Sequence, residues 1–217
     1  MTPPALNVSR VDDFDITGDG SYASWSAVEW TPLGRYRGET PYETRFKALY
    51  SATGLYVLMH CVDQKITTTL DEDFADLYKE DVCEVFLWPD ERYPLYLEYE
   101  ISPLGRELVI LMPNVDGKFM GWRPWHYEGE RRVRKKTSAT GGPLEHGAAI
   151  ESWTCEMCIP FELLAPLANV PPRPGTQWRA NFYRLDYDGG ELEGWCWAPV
   201  TVNYHEFERF GTLIFGE

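Results

Sequence analysis

The stretch Leu77 to Trp88, LYKEDVCEVFLW, places an aromatic ring, a cation and a carboxylate, Tyr78, Lys79 and Glu84, within seven residues. A second acidic and aromatic stretch, YLEYEIS at 96–102, adds Glu98 and Glu100. This mixture suits a polyhydroxylated ligand. A sugar ring has apolar C–H faces that pack on aromatic rings, and a rim of hydroxyls that need donors and acceptors in plane. The same acids admit hydrolytic chemistry. Glu84 with Glu98 or Glu100 would set two carboxylates on one face of a sheet, and glycoside hydrolysis needs such a pair about 5 to 9.5 Å apart. The plainer reading makes Glu84 a solvated residue of an ordinary sandwich strand.

Strict alternation positions these side chains. In KEDVCEVFLW, Cys83, Val85 and Leu87 point one way and Val82, Glu84, Phe86 and Trp88 the other, which is the two-residue period of a strand. The first face belongs in a core. YLEYEIS repeats the arrangement, with Leu97, Tyr99 and Ile101 opposed to Tyr96, Glu98 and Glu100, and ELVILMP follows through PLGR as its hairpin partner. Upstream, TRFKALYS and LYVLMHCVD form a hairpin around Ala52, Thr53 and Gly54; the second strand is apolar on both faces, which predicts a central position. Residues 1–43 are rich in turn formers and read as a wrapping segment anchored by Trp25 and Trp30. Residues 113–147 form a long excursion whose basic run RRVRKK suits a solvated strand edge. WTCEMCIPFELLAPL reads as a strand ended by Pro160 and one short helical turn. WRANFYRLDY and RFGTLIF are the last clear strands, separated by the aromatic loop GGELEGWCWAPVTVNYHEF. At least eight short strands without helical periodicity predict an all-β chain, a two-sheet antiparallel β-sandwich of jelly-roll type with one or two short helices. Its core is expected to include Val57, Val85, Tyr99 and Ile159, and residues 1–217 read as one domain because no linker divides them.

The net charge of −14 repels phosphate backbones and anionic lipid, so neither nucleic acid nor a membrane is expected as a partner, whereas a neutral ligand or Ca²⁺ is compatible. Aromatic residues are 15% of the chain, with nine Trp and thirteen Tyr, more than a core of this size needs, so some rings should be on the surface for use. Asp71, Glu72, Asp73 and Asp76 offer oxygen ligands but lack the Gly and terminal Glu of a calcium-binding loop, and read as a solvated acidic loop. The five cysteines are odd in number, and Cys155 and Cys158, three apart on a strand, face opposite sides, which suits buried thiols rather than zinc. Met59 and His60 are possible haem ligands, yet neighbours on a strand also diverge. No G-x-S-x-G, H-E-x-x-H or P-loop motif is present, and the chain is expected not to be an enzyme. There is no export signal and no run of eighteen apolar residues; the chain reads as soluble, cytoplasmic by default, with a secreted or periplasmic origin open.

Seven segments in order, FDITGDGSYASWSAVEW, TRFKALYSATGLYVLMHCVD, LYKEDVCEVFLWPDE, YLEYEISPLG, WTCEMCIPFELL, ANFYRLD and WCWAPV through FGTLIF, resemble the family 9 carbohydrate-binding modules of the wider DOMON-like superfamily. The resemblance implies non-catalytic binding of a mono- or oligosaccharide, often a glycan end held between two rings, in support of polysaccharide recognition or breakdown. Tyr78 stands where the family commonly has Trp and becomes one wall of the slot. Trp197 of WCWAP, with Trp195 beside it, becomes the other. The family's Glu falls on Glu84 and its Arg on Arg184, while Lys79 and Asp81 flank the first wall and Glu98 adds to the acidic face. Calcium occurs in the family, and the wider superfamily adds a haem-binding alternative. On this reading Tyr78 and Trp197 face each other about 7 to 8 Å apart with a sugar between them, and Glu84 and Arg184 lie at the base or rim.

Overall fold

The computed structural model describes residues 2–115, 118–125, 128–165 and 167–217. Among the described residues the alternating stretches form fifteen strands: β1 (Ala5–Arg10), β2 (Thr31–Pro32), β3 (Gly34–Arg37), β4 (Thr44–Tyr50), β5 (Gly54–Val62), β6 (Val82–Trp88), β7 (Leu95–Ile101), β8 (Glu107–Val115), β9 (Lys118–Phe119), β10 (Arg123–Pro124), β11 (Arg134–Thr140), β12 (Ser152–Pro160), β13 (Gln177–Asp186), β14 (Glu193–Cys196) and β15 (Gly211–Phe215). They build two layers. The first runs β10-β8-β7-β6-β13-β15, with β14 and β3 added along β13; the second runs β4-β5-β12-β11.

β1 joins the layers. Its residues Ala5 to Val8 pair parallel with β15, and Ser9 and Arg10 pair parallel with β4. These two pairings depart from the fully antiparallel expectation. A single strand passing from one layer to the other covers the open edges of β15 and β4 at once. At the far edge of the second layer lies β11, whose Lys and Arg come from the basic run and deter pairing with another chain.

Between the layers lies the main core, which includes Val57, Val85, Tyr99 and Ile159 as the alternation requires. A second apolar cluster covers the outer face of the first layer around Phe86, Tyr96 and Leu108. A third covers the outer face of the second layer, where the N-terminal segment wraps. Glu156 holds that wrap: its Oε1 accepts from Trp25 Nε1 at 2.8 Å, and its Oε2 accepts the backbone N–H of Thr17 and of Gly18. Gly18 has φ +94°, and a Cβ there would press on Lys136, so the close approach needs glycine. Trp25 is therefore a buried anchor, while Trp30 is only half-buried and carries Arg45 over its ring at 4.6 Å.

Among the described residues helical structure is limited to 3₁₀ turns, including Leu77–Lys79 and, where one was expected, Phe161–Leu164. Pro166 of that expected turn and Asp116, Gly117, His126 and Tyr127 of the long excursion lie outside the described residues. Cys155 packs in the main core and Cys158 in the outer cluster, so the pair faces opposite sides of β12. Met59 is likewise in the main core, while His60 faces Trp30 on the other side of β5. No described helix is long and apolar enough to cross a membrane.

Candidate functional site

The outer face of β6, β7 and β8 carries the candidate site. Register places Glu84 directly opposite Glu100 and Phe86 opposite Glu98, and on its other side Glu84 pairs with Tyr183 of β13. Directly opposed residues on antiparallel strands have Cβ atoms only about 4.5–5.5 Å apart, so the three carboxyl groups are close neighbours. Phe86, Leu108, Ile110, Met112 and Leu185 form an apolar bed around them. Tyr78 from the 3₁₀ turn before β6, Tyr187 after β13, Tyr204 and His205 from the loop between β14 and β15, and Trp122 beside β10 rise around this bed and enclose a cavity of about 390 Å³.

Hydrogen bonds fix these loops. Tyr187 Oη donates to the carbonyl of Tyr78 at 2.8 Å, linking two of the walls. Tyr183 Oη donates to the carbonyl of Tyr204 at 2.8 Å and itself accepts from Asn181 Nδ2 at 2.7 Å. Glu206 accepts the N–H groups of Thr201 and Val202 at 2.8 and 2.6 Å, which closes the turn that presents Tyr204. Glu80 accepts the N–H of Leu70 at 2.9 Å and so ties the acidic loop to the turn bearing Tyr78.

Electrostatically the cavity is unusual. Glu84, Glu98 and Glu100 are all buried, and Oε2 of Glu84, Oε2 of Glu98 and both oxygens of Glu100 lack a well-formed hydrogen bond. Burial pushes all three carboxyl groups well above the ordinary range, and each is raised further by a neighbouring carboxylate in the group. His205 does not neutralise them. Its Nδ1 lies 2.7 Å from Tyr96 Oη and 3.9 Å from Glu98 Oε2, and burial lowers its pKa to about 4, so the ring is neutral at pH 7. The cavity thus presents carboxyl groups whose burial favours the neutral form, phenols and a neutral imidazole, which together offer donors and acceptors to ligand hydroxyls.

Of the residues expected from sequence, Tyr78, Glu84 and Glu98 meet here, together with Glu100. Tyr78 is 38% exposed. Lys79 stays at the surface, where its ammonium pairs with Asp76 at 2.6 Å. The other expected residues lie elsewhere. Trp197 is only 8% exposed and belongs to the main core, 5.8 Å from the Phe46 ring and 5.7 Å from the Phe182 ring. The expected slot between Tyr78 and Trp197 is not formed, because the first layer lies between them. Strand parity is the reason: Trp195 pairs with Arg184, which pairs with Cys83, so all face the sandwich interior while Glu84 faces out.

Arg184 is likewise corrected from a binding residue to a buried structural one. Its Nη2 donates to Asp63 at 2.8 Å and Asp186 at 2.5 Å, its Nη1 donates to the carbonyl of Val62 at 2.6 Å, and the guanidinium sits 4.8 Å from the Trp195 ring. Asp81 completes this inner cluster rather than flanking the cavity; carboxylate oxygens of Asp63, Asp81 and Asp186 lie within 4.8 Å of one another. Such a trio invites calcium, yet the donor set fits a guanidinium better. Besides the two oxygens that meet Arg184, the other four accept backbone N–H groups: Asp63 from Lys65, Asp186 from Asp188, and Asp81 from Thr67 and Tyr187. Every carboxylate oxygen of the cluster already has a protein donor, whereas Ca²⁺ takes six to eight oxygens.

Tyr187, Tyr204, His205 and Trp122 escaped the sequence reading. All four stand outside the strands, where no period assigns a face, although Tyr204 and His205 lie in the aromatic loop that the composition had singled out.

With this geometry in view, residues 16–102 match the model of the carbohydrate family 9 binding domain-like family. Among curated proteins no sequence matches the chain. Among solved structures, a putative carbohydrate-binding protein from Bacteroides uniformis is similar with a TM-score of 0.79 and 18% identity, covering 99% of this chain and 100% of that one. A family 9 carbohydrate-binding module from Caldicellulosiruptor kristjanssonii in complex with cellotriose gives a TM-score of 0.70 and 17% identity, covering 98% of this chain and 93% of that one. The same organism's module in complex with glucose gives 0.69 and 18%, covering 98% and 96%. Residues 16–102 are therefore similar in sequence to the carbohydrate family 9 binding domain-like family, and the chain shares the fold of these solved modules.

Proposed function

We propose that the chain binds a mono- or oligosaccharide, without cleaving it, in the cavity on the outer face of β6, β7 and β8. The observation that carries this is the coincidence in one cavity of aromatic walls and carboxyl oxygens that lack a well-formed hydrogen bond, Tyr78, Tyr187, Tyr204 and Trp122 around Glu84, Glu98 and Glu100. Rings pack against the C–H faces of a pyranose, and ligand hydroxyls can supply the well-formed hydrogen bonds that the buried carboxyl oxygens lack. The complexes of the similar modules with cellotriose and glucose support the same ligand class. Calcium forms no part of this proposal, since Arg184 serves the acidic cluster where an ion would sit.

A hydrolase reading draws on the same three acids. It is disfavoured because hydrolysis pairs a protonated carboxyl with an ionised one, whereas burial pushes all three upward here. Calorimetric titration with glucose and cello-oligosaccharides, with reducing-sugar release measured in parallel, tests the proposal. Saturable binding without release supports it. Release of sugar that Glu84→Gln abolishes would replace it with the hydrolase.

A further inference from the structure

Three carboxyl groups in one cavity exceed what a neutral sugar requires. Three carboxyl groups are buried in one enclosure of about 390 Å³, and none of the described residues lining it is Lys, Arg, Asn or Gln. Neutral hydroxyls bring donors but no charge, so they do nothing against the crowding that raises the three carboxyl groups. An ammonium brings both. It has three N–H donors for oxygens of Glu84, Glu98 and Glu100 that have no well-formed bond, and a positive charge that opposes their crowding. The surrounding rings of Tyr78, Tyr187, Tyr204 and Trp122 add the negative faces that attract a desolvated cation. The chain's net charge of −14 steers a cation toward the protein rather than away from it.

We propose that the cavity selects an amino sugar, a hexosamine whose protonated amine sits among Glu84, Glu98 and Glu100 while its ring packs on the aromatic walls. This rests on the sugar-binding reading above and names the ligand class within it. Proton balance follows from the burial of the acids. Burial and mutual crowding raise the proton affinity of the three carboxyl groups in the free cavity, and an ammonium among them lowers it, so seating the ammonium releases protons from the carboxyl groups to solvent. The other titratable groups facing the acids are Tyr36, Tyr78, Tyr96, Tyr183, Tyr187, Tyr204 and His205, with Asp76 acting on Glu100 from the turn before β6 and Arg37 acting on Tyr187 and Tyr204 from β3. The phenols stay neutral through neutral pH and the imidazole is uncharged there, which leaves the carboxyl groups as the source of the proton.

The test is calorimetric titration at pH 6 with the β-1,4-linked glucosamine dimer, cellobiose and the N-acetylglucosamine dimer, repeated in two buffers of different ionisation enthalpy. The glucosamine dimer is expected to bind at least about tenfold more tightly than cellobiose, the scale of one charge-assisted hydrogen bond, with proton release that the neutral sugars do not show. In Glu98→Gln and Glu100→Gln, which keep size and shape, the advantage should shrink toward parity. Equal or tighter binding of cellobiose by the wild type overturns the inference and leaves sugar binding standing. Binding of none of the three overturns both. Because the wild-type comparison alone is decisive, a misfolded variant does not rescue the idea.

Discussion

Replacing Trp197 by alanine separates a core residue from a ligand platform. The ring packs against Phe46 and Phe182 between the two layers, and a Cβ at Gly211 would overlap it, so no neighbour can readily collapse into the space it leaves. Truncation of such a buried Trp costs about 3–5 kcal/mol from lost transfer energy and the residual cavity. For a chain of this size each kcal/mol moves the midpoint by about 2–4 °C, which gives a fall in Tm of about 6–20 °C. Denaturant unfolding followed by tryptophan fluorescence measures the free energy, and a thermal scan by circular dichroism measures the midpoint. Affinity for sugar, measured below the lowered transition, should change little, because the first layer lies between Trp197 and the cavity. An unchanged Tm together with abolished sugar binding would refute this, and would restore Trp197 as the second wall of a slot.

Tyr78→Ala is the complementary change: the ring is 38% exposed, so stability should hold within about 0.5 kcal/mol while sugar affinity falls about 2- to 12-fold, as loss of one aromatic contact implies. Titration of the variant against cellotriose checks both. Stability should depend on pH in a defined direction: Glu84, Glu98 and Glu100 have folded pKa values raised above the ordinary 4.5, so their contribution is complete below that value and is lost as pH rises through the folded values. The variant Glu98→Gln should therefore gain in Tm relative to wild type between pH 5 and pH 8, and a relative loss would contradict the burial argument. His205 acts in the opposite sense, costing stability as pH falls from 6.5 toward about 4. Arg184→Met should lose about 3–5 kcal/mol, because Asp63 and Asp186 are left buried without their cation, whereas a calcium chelator should leave the wild-type Tm unchanged.

Alternation made the layers legible. Cys83, Val85 and Leu87 and their counterparts in β7 announced which face was core, and that same parity put Glu84, Glu98 and Glu100 together on the other. What alternation does not carry is which face of one strand matches which face of another. Arg184 and Glu84 lie on adjacent strands, but the register sets Arg184 against Cys83 and Tyr183 against Glu84, so the two side chains leave the sheet on opposite sides. A single-residue slip would have joined them. Trp195 and Trp197, two apart, had to share a face, and the register with Arg184 turned that face inward. The small Cys196 between them is the residue that faces the outer cluster. The remaining walls come from loops, whose side-chain directions follow from hydrogen bonds such as Tyr187 to Tyr78 and Tyr183 to Tyr204, and those partners are distant in sequence.

The most direct measurement is a crystal structure of the protein with a bound oligosaccharide, cellotriose or the glucosamine dimer. The expected density lies on the outer face of β6 and β7, with a sugar ring against Tyr78 and polar atoms within hydrogen-bond distance of Glu84, Glu98 or Glu100. A sugar bound at any other surface, with this cavity empty at saturating ligand, would contradict the assignment of the site.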